Sequence, residues 1–234
     1  MVKLKKASIT YRKTKRLIKR IGSKVSKFMM STLLIGGLLL GAPTRANADS
    51  SIELMVGHSQ TSLDIKAGAP LTEKIEIFGR FMPSIDYKGH ISNFGLIDLT
   101  LKINNCLNFL TEVQFVGGKI IPRGGLQYFG NFGSLMLFNA VSLSAIENPD
   151  VENVSILSLT PALTETLSLL AQIENITNFG TGGHNFSIQR LRLGVTLSDL
   201  SFGPAVDLME VGNIPSLEDG TVTYVLGAFV LKSF

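Results

Sequence analysis

From Ser50 onward, apolar residues recur mostly at every second position, and clusters of Gly, Asn, Pro and Asp cut the pattern at short intervals. A period of two sends alternate side chains to opposite faces of an extended backbone, so the pattern predicts strands joined by turns. In residues 74–81, Ile75, Ile77, Gly79 and Phe81 alternate with Lys74, Glu76, Phe78 and Arg80. Ile97, Leu99, Leu101 and Ile103 alternate with Leu96, Asp98, Thr100 and Lys102, and Leu107, Phe109, Val113 and Phe115 with Asn108, Glu112 and Gln114. Leu191, Leu193, Val195 and Leu197 do the same against Arg190, Arg192, Gly194 and Thr196. Residues 163–173 also fit a helix, with Leu163, Leu167 and Leu170 on one side.

Taking each run as one strand predicts twelve, at about 50–57, 61–67, 73–83, 93–103, 107–117, 121–130, 133–144, 153–160, 164–176, 185–197, 201–211 and 220–234. Ten remain if the N-terminal pair is misread. The connections fall into two alternating sets. A longer, polar set comprises 57–60, 84–92, 117–120, 144–152, 178–184 and 213–219, and a shorter set comprises 68–72, 104–106, 131–132, 161–163 and 198–200. Long loops at one end, short turns at the other and an even strand count are features of a transmembrane barrel. Pro122 and Pro204 fall inside predicted strands, where each removes a ladder donor.

The chain closes on Phe234, with Val230 in the same parity and Lys232 between them. A terminal aromatic of this kind resembles the closing-strand signal of bacterial outer-membrane β-barrel proteins. The resemblance covers residues 49–234 in architecture only. It implies an all-β, antiparallel up-and-down transmembrane β-barrel, a lipid bilayer as surroundings and the outer-membrane assembly machinery as a partner. In lipid every backbone NH and CO must find a partner within the protein, which a closed ring achieves and an open sheet does not. The competing fold is a soluble all-β sandwich or barrel that buries its apolar face in a core.

Charge is divided along the chain. Residues 1–27 carry eleven Lys and Arg and no acidic residue, and 28–42 form an uncharged, mostly apolar run of 15. That run suits a signal peptide and is shorter than the roughly 20 residues of a spanning helix. Ala46-Asn47-Ala48 then offers a small-x-small cleavage site, so residues 1–48 read as an export signal cut before Asp49, and 49–234 as one β-barrel domain. Of 22 basic residues, 12 precede Asp49, whereas all 18 acidic residues lie from Asp49 on. The mature chain thus has ten basic against 18 acidic residues, a net charge of −8, which excludes a nucleic-acid partner argued from basicity. Cys106, the only cysteine, forms no intramolecular disulfide and reads as a small apolar side chain.

The mature sequence carries no P-loop, HExxH, GxSxG or paired-cysteine motif and points to no cofactor or metal. Gly180-Thr181-Gly182-Gly183 lacks the Lys and spacing of a phosphate cradle. His58, His90 and His184 all fall in the longer connections at one end; with Ser59 as nucleophile, His90 or His184 as base and Asp86 as orienter they would make a hydrolytic site at the rim. The polar faces supply a lumen set: Lys74, Glu76, Arg80, Asp98, Lys102, Glu112, Gln114, Arg123, Gln127, Gln172, Glu174, Arg190 and Arg192. Mixed charge there makes either a salt-bridged interior or a narrow polar pore for small solutes, and Arg190 with Arg192, if unpaired, favours anions. Three functions follow: a porin-like channel or structural membrane protein, a rim-site hydrolase, or a surface adhesin or receptor using loops 144–152 and 213–219. The triplets Asn153-Val154-Ser155, Asn175-Ile176-Thr177 and Asn185-Phe186-Ser187 fit the N-glycosylation pattern, which a bacterial host makes incidental.

Overall fold

The protein, analysed as a computed structural model, is described over residues 50–212 and 221–234; the predicted export signal 1–48 and the predicted connection 213–219 lie outside the described residues. All twelve predicted strands form. The first half of the chain gives β1 (Ser51–Gly57), β2 (Gln60–Pro70), β3 (Ile75–Asp86), β4 (Ile91–Lys102), β5 (Leu107–Val116) and β6 (Lys119–Phe132). The second gives β7 (Leu135–Ser144), β8 (Val151–Leu159), β9 (Leu167–Gly180), β10 (Gly183–Leu197), β11 (Leu200–Val211) and β12 (Thr221–Ser233). Each strand pairs antiparallel with the next, and β12 returns to β1 from Ser51↔Ser233 to Gly57↔Gly227, closing the barrel.

The alternation sorts the side chains inside out. Leu54, Val56, Ile97, Leu99, Leu101, Phe109, Phe115, Leu191 and Leu193 are exposed on the outer surface, while Glu53, Arg80, Glu112, Glu174, Arg190 and Arg192 are buried within. A soluble sandwich requires the reverse; an apolar exterior over a charged interior is the surface of a barrel solvated by hydrocarbon. Part of the interior is nonetheless apolar: Met55, Leu170, Ala205, Val225 and Phe229 pack together with Leu231 against them. That cluster explains why residues 163–173 also fit a helix. Leu170 faces inward into it and Leu169 faces lipid, so the start of β9 is apolar on both faces and the period-two signal blurs. The segment is a turn followed by a strand, not a helix.

The two prolines are accommodated differently. The β6–β7 ladder begins at Arg123↔Ser144, just past Pro122, whose carbonyl accepts from the Ala145 NH at 2.8 Å. At Pro204 the β10–β11 pairing steps from Arg192↔Ala205 to Val195↔Phe202. Within that gap the two backbones close up until a Cβ on Gly203 would sit 2.0 Å from the Leu193 carbonyl oxygen and one on Gly194 2.2 Å from that of Phe202. Only glycine fits at either position.

The predicted contrast in loop length is weak. Residues 58–59, 117–118 and 181–182 are two-residue turns, whereas 160–166 on the opposite end spans seven. Strand pairing simply continues up to the turn on the first side, as in β9 to Gly180 and β10 from Gly183. The 160–166 connection is held compact by the Thr164 hydroxyl, which accepts from the NH groups of Thr166 and Leu167. Cys106, read as a small apolar side chain, is exposed in the β4–β5 turn, where Asn104 Oδ1 accepts the NH groups of Cys106 and Leu107 at 2.9 Å.

Candidate functional site

Inward-facing charge gathers on the middle of the wall. Arg80 on β3 donates through Nε to Asp64 Oδ1 at 2.9 Å and through Nη2 to Asp64 Oδ2 at 2.7 Å. Its guanidinium also bonds both carboxylate oxygens of Glu174 on β9, one of them at 3.0 Å. In a ring of twelve strands β3 and β9 lie six apart, on facing walls, so this contact runs across the lumen. Arg190 on β10 reaches Asp64 at 2.6 Å, Glu174 at 3.1 Å and Glu53 on β1 at 2.7 Å. Arg192 adds Glu53 at 2.8 Å and Asp207 on β11 at 2.6 Å, with its guanidinium carbon 5.9 Å from the Phe229 ring centroid. Lys66 stands 3.7 Å from Asp64. Four cationic side chains therefore meet four carboxylates. Arg80 and Glu174, which meet across the lumen, are 6% and 1% exposed, so water is kept from their contact. A buried charge is tolerable only when paired and hydrogen-bonded, and here the pairing spans the lumen.

A second network ties the mouth near loop 145–150. Arg123 on β6 donates to the Ser142 hydroxyl at 2.9 Å and to Asp150 at 2.5 Å. Asn178 donates to Asp150 at 2.9 Å, Gln114 to Glu152 at 2.6 Å, and the Asp150 NH to the Ser144 hydroxyl at 2.8 Å. Asp98 and Glu112 are register partners across β4 and β5. One oxygen of each is buried without a hydrogen bond among the described residues, although Arg123 Nε stands 3.7 Å from that of Glu112. Asp98, Glu112, Asp150 and Glu152 thus outnumber Arg123, the cation of this network, which pairs with Asp150 and stands near Glu112.

Of the lumen set, Arg80, Asp98, Glu112, Gln114, Arg123, Glu174, Arg190 and Arg192 lie on the inner wall, and Gln127 and Gln172 share that face by register. Glu76 and Lys102 pair at 2.6 Å, both partly exposed, near the opposite mouth. Lys74 lies in the turn before β3, where its NH donates to Thr72, rather than on the wall. Arg190 and Arg192 are fully paired, so the condition for an anion preference is not met. Glu53, Asp64, Lys66 and Asp207 complete the network and were not in the set. Their parity marks them: each charged residue sits between apolar neighbours in sequence, as buried Glu53 does between Ile52 and exposed Leu54.

The histidines have separate partners. The His90 ring Nδ1 lies 2.7 Å from Asp86 Oδ2, and the His90 backbone NH donates to Asp86 Oδ1 at 2.7 Å. These hydrogen bonds, the ring's first, hold the Asp86 carboxyl below the ordinary aspartate range. His58 Nδ1 accepts from the Leu226 NH at 3.0 Å, and its ring stacks on Tyr224. His184 is buried between the Gly212 carbonyl, 2.9 Å from Nδ1, and the Ser187 hydroxyl, 2.8 Å from Nε2. Ser59 neighbours the dyad through its carbonyl, which accepts from the Tyr87 NH at 3.1 Å. Among the described residues no hydrogen bond joins Ser59 to His90, and no group of three or more His, Cys, Asp or Glu stands close enough to hold a metal ion.

No protein-family model matches the chain, and a search of curated proteins returns no match. Among solved structures the chain is similar to LpxR from Salmonella typhimurium, at 9% identity and TM-score 0.46 over 80% of this chain and 100% of that one. It is similar to the NanC porin at 6% identity and TM-score 0.49, covering 80% and 100%, and to the KdgM porin at 12% and 0.43, covering 80% and 98%. The architecture rests on this chain's own strand pairing and burial: it is an all-β, closed twelve-strand antiparallel barrel with an apolar exterior and an ionic interior.

Proposed function

We propose that the protein is an outer-membrane barrel of porin-like architecture whose lumen is held shut at mid-height by the Arg80–Glu174 crossing. That contact carries the reading, because it links facing walls through two side chains that are both buried. The protein then serves as a sealed structural element of the membrane, passing solutes only when the crossing breaks. The acidic excess of Asp98, Glu112, Asp150 and Glu152 supports a further point: an opened lumen favours cations. Residues 1–48 deliver the chain across the inner membrane and are removed before Asp49, and the outer-membrane assembly machinery folds it. Single-channel recording in a planar bilayer tests the reading. The wild type should show a closed baseline, and Arg80→Ala should introduce cation-selective openings. Large, steady conductance from the wild type would overturn the seal. N-terminal sequencing of the extracted protein should begin Asp49-Ser50-Ser51, and heat-modifiable migration on gels should accompany extraction only by detergent.

A further inference from the structure

The glycosylation-like triplets place Asn and Ser or Thr two residues apart, hence on one face of a strand. On β8 and β9 that face is the outer one: Asn153 and Ser155 share parity with exposed Val151 and Leu157, and Asn175 and Thr177 with exposed Ile173 and Phe179. The register aligns them with more of the same. One row runs Asn139↔Ser155↔Asn175↔Gln189 across β7 to β10. The next runs Asn153↔Thr177↔Ser187, ending at Glu210 on β11. At ~4.8 Å between strands and ~7 Å between same-face rows, this is a polar patch roughly 15–20 Å wide.

Elsewhere the outer face is dominated by Leu, Ile, Val and Phe, and this patch is bordered on both sides by apolar residues: Val141, Leu143 and Phe179 on one, Leu137, Leu157 and Leu191 on the other. It cannot lie above the bilayer. β7 and β8 have 10 and 9 residues, about the minimum for a tilted spanning strand, so Asn139, Asn153 and Ser155 stand at membrane depth. Local bonds satisfy part of their polarity: Asn139 Nδ2 donates to Ser155 Oγ at 2.7 Å, and Asn175 Nδ2 to Thr177 Oγ1 at 3.1 Å. Among the described residues the Gln189 amide and the Asn139 carbonyl oxygen form no hydrogen bond.

Hydrocarbon offers nothing to these groups, so a protein surface must. We propose that this face packs against the same face of a second copy, barrel beside barrel about a two-fold axis along the membrane normal. The patch suits its own copy because amides and hydroxyls are each both donor and acceptor, whereas a charged partner would need counter-charges and only Glu210, at the edge, is ionic. The proposal rests on the membrane placement above. For the test, the mature chain carries Cys106→Ala and either Ser155→Cys or, on the far wall, Leu99→Cys, and is folded into phosphatidylcholine vesicles and oxidised. Ser155→Cys should give a disulfide dimer and Leu99→Cys none. Asn139→Leu, Asn175→Leu and Gln189→Leu together should weaken dimerisation roughly tenfold or more while leaving heat-modifiable migration intact. A wild-type monomer in vesicles, equal crosslinking from Leu99→Cys, a dimer indifferent to the triple change, or lipopolysaccharide or an unrelated protein bound on this face would each overturn the proposal. A mature chain soluble without detergent would instead overturn the membrane placement on which it rests.

Discussion

Replacing Arg80 with Met removes the side chain that joins the facing walls. The structure sets the size of the effect. Arg80 makes two hydrogen bonds to Asp64 and two to Glu174, all buried. Removing one partner of such a pair costs about 3–5 kcal/mol, because a charge is left in a dry interior without its counter-ion. Arg190 still touches both carboxylates, at 2.6 and 3.1 Å, which places the cost near the lower bound. About 3 kcal/mol is roughly a hundredfold in the folding equilibrium. Glu174→Leu alone should cost a similar amount, since it strands Arg80 and Arg190 against fewer anions. Combining the two removes one charge of each sign, leaves the network balanced and replaces a buried ion pair with apolar groups, an exchange that is near neutral. The coupling in the double-mutant cycle should therefore reach about 2 kcal/mol or more. Urea titration in detergent micelles, followed by far-UV circular dichroism because the chain has no Trp, measures it. Single changes that leave the midpoint unmoved, or a double variant whose loss equals the sum of the singles, would refute the argument.

Three further outcomes follow from local geometry. Gly194→Ala drives a Cβ to 2.2 Å from the Phe202 carbonyl oxygen and should cost about 1–3 kcal/mol in the same titration, whereas Gly79→Ala, whose nearest neighbour is 3.8 Å away, should cost much less; equal midpoints would discredit the close approach. Asp150→Ala frees loop 145–150 from Arg123 and Asn178, so limited proteolysis should cut there faster than in wild type, with an unchanged cutting rate counting against the anchor. Asp86 has a folded-state pKa lowered by His90, so its contribution to turn stability is complete above the unfolded value and disappears as pH falls through the lower folded one. Carboxyl NMR should show Asp86 titrating below an ordinary aspartate and moving up in His90→Ala; an ordinary value in the wild type would sink the pairing.

The strands were legible because two environments enforce the alternation. Hydrocarbon outside and ions inside leave almost no position on Leu191 to Leu197 or Ile97 to Lys102 free to choose its face. Where both faces are apolar, as at Leu169 and Leu170, the signal blurred. Parity says that Arg80 and Glu174 face inward but not that they meet, since 94 residues separate them. Strand count supplies part of what is missing, because in a twelve-member ring β3 and β9 oppose each other, whereas in a ring of ten they would not. Depth supplies the rest: strand tilt and stagger decide whether two inward charges on facing walls stand at one height, and no single strand encodes them. The same logic separates the two polar surfaces. Inside, period-two charge is what the lumen requires. Outside, the runs Asn153 to Ser155 and Asn175 to Thr177 keep the period but reverse its chemistry, and only the register reveals that they are neighbours. A polar residue in the wrong parity of a spanning strand is therefore informative only once the ring is closed, when it changes from an exception in one strand into a face.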